Sequence, residues 1–232
     1  MLTPDGCRAR QERFRTALGK QNLAGALVTD ARDIYYLTGL WVENRIFGYP
    51  SLLFLGTDKP SWLGTWRTDG CAVVDQRETY DHSTFRTVHP DNHRRLAPLA
   101  AACGRRVAGV AGLGYQAEGA PKFVLDAFLG GAGVAHAAPI DELMHVLQRR
   151  KDADEMACIR RAVRALQAGF ARAREVIAPG ALETDVLAEC QAAAQRDAGR
   201  PHRFGGDFRS GSDGGQARRR PIESGEVYIV DA

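Results

Sequence analysis

This sequence predicts an α/β fold, and three observations carry the prediction. Short apolar runs bounded by turn residues alternate with segments of helical period as far as Leu147, the pattern of strands and helices sharing one domain. A long amphipathic segment follows, with a capping-type start and a Pro-Gly stop. The chain then closes on a β-branched and aromatic run, Val227-Tyr228-Ile229-Val230-Asp231. Two domains are expected, 1–147 and 148–232.

The elements follow in order. An arginine-rich helix is expected over Pro4–Gln21, and Gly25–Thr29 reads as the first buried strand. Asp30–Leu40 gives a short helix and a turn. Ser51–Leu55 and Ser61–Thr65 are hairpin-related strands parted by the polar turn Gly56–Pro60. Helix at Asn92–Cys103, strand at Arg106–Val110, helix near Ala120–Leu129 and strand at Val134–Ala137 complete the first domain. In the second, Asp152 and Glu155 form a capping-box-like pair. Met156, Ile159, Val163, Leu166, Phe170, Ala173 and Ile177 then make one apolar stripe, ended by Pro179-Gly180. Under four heptads and a Pro-Gly stop favour packing on the chain's own sheet over a coiled-coil seam. Leu182–Asp197 is a second helix, and Gly199–Arg220 reads as an exposed loop.

Bulk composition excludes several classes. With 44% hydrophobic and 25% charged residues, 232 residues can bury a sizeable core. A net charge of +3, spread along the chain, gives no nucleic-acid footprint. Five cysteines without a C-x-x-C pair argue against a disulfide framework and for a reducing compartment; Cys158 and Cys190 fit as buried apolar residues. No run approaches the about 18 apolar residues of a membrane span, and the start Met1–Asp5 shows no apolar h-region. A cytoplasmic protein without membrane or nucleic-acid partners is expected.

Candidate sites each have a plain alternative. Gly112-Leu113-Gly114-Tyr115 superficially fits a dinucleotide fingerprint, but Glu118-Gly119-Ala120-Pro121 interrupts the helix it needs; a tight turn is the simpler reading. His89 and His93 are four apart without an established helix, which favours an exposed pair. Arg218-Arg219-Arg220 is either a solvated charge run or an anion contact. Tyr35, Tyr36, Trp41 and Phe47 cluster around a glycine turn, as core packing or as a pocket wall. Asp231 ends an apolar strand and shares a face with Val227 and Ile229; a buried carboxylate there needs a charged partner such as a metal ion.

Four stretches together carry a family resemblance. Val28-Thr29 leading to Ile34-Tyr35-Tyr36-Leu37-Thr38-Gly39-Leu40 resembles the N-terminal domain of the creatinase and aminopeptidase P group. Leu147 to Glu155, running on to Ile159-Arg160-Arg161-Ala162, is similar to that group's junction into its catalytic domain. Pro179-Gly180-Ala181-Leu182-Glu183 resembles its turn between two catalytic-domain helices. Ser210-Gly211 and Pro221 to Asp231 resemble its strand pair leading to the first metal-binding aspartate.

The resemblance is to the M24, or pita-bread, hydrolases. It implies a creatinase-type N-terminal domain with a mixed sheet, the first part of a pita-bread catalytic domain, and a homodimer. It also implies hydrolysis of C–N bonds in a small peptide or amide, on a divalent metal pair such as Mn²⁺. Asp231 would be one ligand; Tyr36 and Trp41 would shape the substrate pocket. The remaining ligands have no counterpart in this chain, so the chain by itself is expected to bind no metal pair. Where many members carry Pro-His, Asp213–Arg218 has no histidine, and His202 precedes Ser210-Gly211, on the wrong side to supply it. That departure keeps a second expectation open, a non-catalytic binding module of the same fold.

Overall fold

The computed structural model describes residues 1–42, 51–80, 92–117, 121–201 and 204–232. Phe47, His89, Glu118–Ala120 and His202 lie outside them, as does the side chain of His93. The chain divides into two compact units, Met1–Asp154 and Glu155–Ala232.

In the first unit, helix α1 (Pro4–Lys20) starts where Thr3 accepts the Gly6 N–H, with Pro4 in the first turn. Strand β1 (Gly25–Val28) leads to α2 (Ala31–Thr38), capped by Asp30 and closed by left-handed Gly39. Strands β2 (Leu52–Gly56), β3 (Trp62–Thr65) and β4 (Gln76–Thr79) follow, then α3 (Asn92–Arg106), β5 (Gly112–Tyr115), α4 (Lys122–Ala132), β6 (His136–Pro139) and α5 (Asp141–Arg149). Among the described residues, six strands form one sheet in the order β4-β3-β2-β1-β5-β6. The β1–β2 and β2–β3 pairs are antiparallel, while β3–β4, β1–β5 and β5–β6 are parallel. The sheet is therefore mixed, as the resemblance implies.

Strand alternation builds two cores from one sheet. Ala26, Val28, Leu53, Leu55 and Leu63 face Phe14, Leu18, Ile34, Leu37 and Met144. Leu27, Leu52, Phe54, Trp62 and Leu113 face α3 and α4 through Ala100, Cys103, Val124 and Phe128. Covering both faces is why these strands read as continuous apolar runs rather than alternating ones. Helices α3 and α4 approach so closely that a Cβ on Gly131 would lie 2.3 Å from the Ala101 carbonyl oxygen.

Two expectations here need correction. The strand placed at Arg106–Val110 is instead Gly112–Tyr115; α3 runs on to Arg106, and Val107 packs beside it against the second core. The residues that read as a glycine turn are a buried strand. Gly114 is glycine because a Cβ there would sit 2.5 Å from the Ile140 side chain. Strand β4 and helix α5 were not expected: β4 reads Gln-Arg-Glu-Thr, and an exposed edge strand shows no apolar period.

The second unit holds α6 (Ala153–Val176, its first two residues in the first unit), α7 (Glu183–Ala198), and the antiparallel strands β7 (Phe208–Ser210) and β8 (Tyr228–Val230). Its core joins Ala173, Val186, Cys190, Ala194, Phe204, Phe208 and Ile222. The apolar stripe of α6 is buried only in its later part: Ile159 and Val163 are 42% and 45% exposed, while Ala173 is 4% exposed. The loop before α7 is tied down, Gly180 N–H to the Ile222 carbonyl at 2.8 Å and Ile222 N–H to that of Ala181 at 2.9 Å.

Candidate functional site

Asp231 stands at the end of β8, and the residues that fix that strand come from α7. Glu183, the first residue of α7, has a fully buried side chain. Its Oε1 accepts the Ser210 N–H at 3.0 Å, the Ser210 hydroxyl at 2.6 Å and Arg218 Nη2 at 2.6 Å. Its Oε2 accepts the Arg218 backbone N–H at 2.8 Å and Arg218 Nε at 3.0 Å. Arg218 holds the Glu183 carboxyl well below the usual carboxylate range, outweighing burial, with Ser210 assisting.

A second arginine extends the cluster. Arg220 reaches the Ser210 hydroxyl at 2.6 Å and both Glu226 oxygens at 2.8 Å, and Glu223 at 2.8 Å. Arg220 holds the Glu226 carboxyl down at about 2. On β8, the Tyr228 hydroxyl donates to the Glu183 carbonyl at 3.3 Å; burial, then the nearby Glu183 charge, pushes its pKa up to about 12. Of the two readings of the Arg218–Arg220 run, the anion contact is the one seen at Arg218 and Arg220, and the anions are carboxylates of the same chain, Glu183 and Glu226.

The β7–β8 register pairs Ser210 with Tyr228 and Phe208 with Val230. Continuing it by one residue sets Asp207 opposite Asp231, whose N–H donates to the Asp207 carbonyl at 2.9 Å. Gly206 precedes this pair at φ +147, and a Cβ there would lie 1.8 Å from the Asp231 carbonyl oxygen. Tyr228 and Val230 pack toward the core, while Val227, 68% exposed, and Asp231 lie on the open face. Asp231 is exposed. Beside the strand end, Phe170, Ala173, Arg174, Ile177 and Val230 line a groove of about 530 Å³.

A metal pair needs several converging donors. Asp231 offers one hard oxygen, and among the described residues no group of three His, Cys, Asp or Glu side chains includes it. The described residues therefore do not make up a two-metal centre.

Tyr36 and Trp41 part company in the first unit. Tyr36 is 6% exposed; its hydroxyl donates to the Leu147 carbonyl at 3.4 Å, and the Arg10 guanidinium lies 5.1 Å from its ring centre. Trp41 is 40% exposed and meets Tyr35 edge-on at 5.7 Å. Arg10 is wholly buried: Nε donates to the Tyr36 carbonyl at 2.6 Å, Nη1 to Asp154 at 2.8 Å and Nη2 to the Cys7 sulfur at 3.2 Å. Asp152 receives Arg13 at 2.6 Å. All five cysteines are free; Cys190 is buried, Cys158 half-buried. Asp207 and the buried Glu183 were not singled out in the sequence as site residues, although Glu183 ends the Pro179–Glu183 stretch and Asp207 lies just before Ser210-Gly211, two of the stretches that carry the resemblance.

Residues 10–108 match the family described as Creatinase/Prolidase N-terminal domain. A sequence search of curated proteins finds no match. The fold is similar to that of the prolidase from Pyrococcus horikoshii OT3, at 14% identity and a TM-score of 0.69, over 95% of this chain and 59% of that one. The Xaa-Pro dipeptidase from Bacillus anthracis gives 16% and 0.67, over 96% and 59%. The X-Pro aminopeptidase from Thermotoga maritima MSB8 gives 15% and 0.64, over 94% and 59%. The chain thus spans about three-fifths of the length of these structures. No helix among the described residues is long and apolar enough to cross a membrane. The resemblance read from the sequence agrees with these comparisons: residues 10–108 match the Creatinase/Prolidase N-terminal domain family, and the chain shares the fold of prolidases and Xaa-Pro aminopeptidases over nearly its whole length.

Proposed function

We propose that this chain is part of a hydrolase acting on C–N bonds of small peptides or amides, with Asp231 as one ligand of a divalent metal centre. The observation that supports this most is an exposed carboxylate at the end of β8, in a fold shared with prolidases. A carboxylate oxygen is a hard donor suited to Mn²⁺, and Asp231 has its carboxylate on the open face of its strand pair. Trp41, with its exposed ring, is the aromatic residue we assign to the substrate side. A homodimer in the cytoplasm and a domain boundary near Leu147 belong to the same proposal.

The test uses the protein from its own cells, assayed on Xaa-Pro dipeptides with and without Mn²⁺. Metal-stimulated hydrolysis that Asp231→Asn abolishes is the expected result. The second reading, a non-catalytic peptide binder, is favoured by one observation: the stretch Asp213–Arg218 holds no histidine where many family members carry Pro-His. Retention of the dipeptide without turnover, unaffected by Asp231→Asn, would decide for it.

A further inference from the structure

We propose that Glu183 is the positioning residue for Asp231, setting the register of β7 and β8 and so the face on which that carboxylate is presented. The inference deepens the reading of Asp231 as a ligand and rests on it for its consequence. Its geometry stands alone. Glu183 grips both strands at one register position: its carboxylate takes the N–H and hydroxyl of Ser210 on β7, and its carbonyl takes the Tyr228 hydroxyl on β8. Ser210 and Tyr228 are partners across the ladder. Three residues further along, the same ladder ends at Asp207 and Asp231.

Side chains on a strand alternate, so a slip of one residue would turn Asp231 from the open face toward the core. A three-residue strand pair has few ladder bonds of its own with which to resist such a slip. Glu183 supplies the missing constraint from a helix, and Arg218 neutralises it there through two charge-assisted bonds. No neutral side chain does the same: glutamine at 183 accepts through one atom only, and would turn an N–H₂ toward one of the donors.

Amide hydrogen exchange on the whole chain, without metal, tests this. The reporters are Gly211 N–H, bonded to the Val227 carbonyl, and Asp231 N–H, bonded to that of Asp207. In Glu183→Gln their protection should fall about tenfold further than that of Cys190 and Ala194 in the middle of α7. An equal fall at all four, or none, would reduce Glu183 to a general contribution to stability and overturn the proposal. Should that variant not fold, Ser210→Ala removes one donor and leaves the Glu183–Arg218 pair. It should produce the same local pattern at about threefold, and unchanged protection at Gly211 and Asp231 would overturn the proposal. Because no metal is added, the outcome is independent of the dipeptide assay; either can fail while the other stands.

Discussion

Among the described residues, each unit buries one charged side chain, and the two are of opposite sign. In the first, Arg10 is fully buried and its partners Asp154 and Asp152 lie nearer the surface, at 10% and 27% exposure. In the second, Glu183 is fully buried and Arg218 is 37% exposed. The sign decides what each can hold. A guanidinium is all donors, so Arg10 gathers a carbonyl, a thiol and carboxylates, tying α1 to α2 and to Asp152 and Asp154. A carboxylate is all acceptor, so Glu183 gathers backbone N–H groups and a hydroxyl, the groups that fix where a strand sits. One device fastens helices together; the other sets a register.

The strongest way to break this comparison is Arg10→Met. Removing one member of a buried pair leaves the other uncompensated, and about 3–5 kcal/mol should be lost. Urea unfolding followed by tryptophan fluorescence reads it cleanly, since Trp41, Trp62 and Trp66 all lie in the first unit. A loss under about 1 kcal/mol would place Arg10 among ordinary surface pairs. Arg10→Lys should recover only part, because an ammonium cannot reproduce the planar fork.

Gly206→Ala comes next and acts on the other unit. The added methyl meets the Asp231 carbonyl, and the φ of +147 is strained for any side chain. Roughly 1–3 kcal/mol is expected, seen as a lower Tm by circular dichroism with tryptophan fluorescence unmoved. A shift in the tryptophan signal instead would mean that the effect is not confined to the strand pair.

Acid separates the two clusters further. Burial raises the Asp154 carboxyl, but Arg10 and the Thr3 N–H outweigh it and hold it at about 2 against 3.8 in the unfolded chain. A depressed carboxylate contributes stability above its unfolded pKa and loses it as pH falls through the folded one. The first unit should therefore keep this contribution down to pH about 4 and lose it between there and about 2. Glu183, held below the usual carboxylate range chiefly by Arg218, should likewise support β7 and β8 at neutral pH and lose that contribution as pH falls below its unfolded value. Tryptophan fluorescence and exchange at Gly211, followed down the same pH series, read the two losses separately; a first unit whose stability does not fall below pH about 4 would remove the Arg10–Asp154 pair from the acid response.

How much of this was legible depends on how local each signal is. The strands β1, β2 and β3 are buried on both faces, so an apolar run bounded by turn residues was enough to find them. Strand β5 escaped because Gly114 stands where the Ile140 side chain leaves no room for a Cβ, and the two glycines, Gly112 and Gly114, read as a turn. At the site, Asp231 was visible from the strand pattern before it. Glu183 was not, since its partners lie 27 and 35 residues away and no periodicity links them. Tyr36 and Trp41, alike in sequence as aromatic residues beside a glycine turn, differ only in burial, which composition does not encode.

The smallest expected effect concerns the α6 stripe. By period it is one surface, yet Ile159 and Val163 are exposed where Ala173 is buried. Ile159→Ser and Val163→Ser should each stay within about 0.5 kcal/mol of the parent in thermal unfolding, as surface changes do. If they do, the second unit owes its packing to the later turns of α6 and to the Glu183 cluster. A loss above about 2 kcal/mol would mean that both side chains are buried in solution. Sedimentation at rising concentration would then show whether a second copy covers them, and the stripe, rather than the buried carboxylate, would become the feature that organises the second unit.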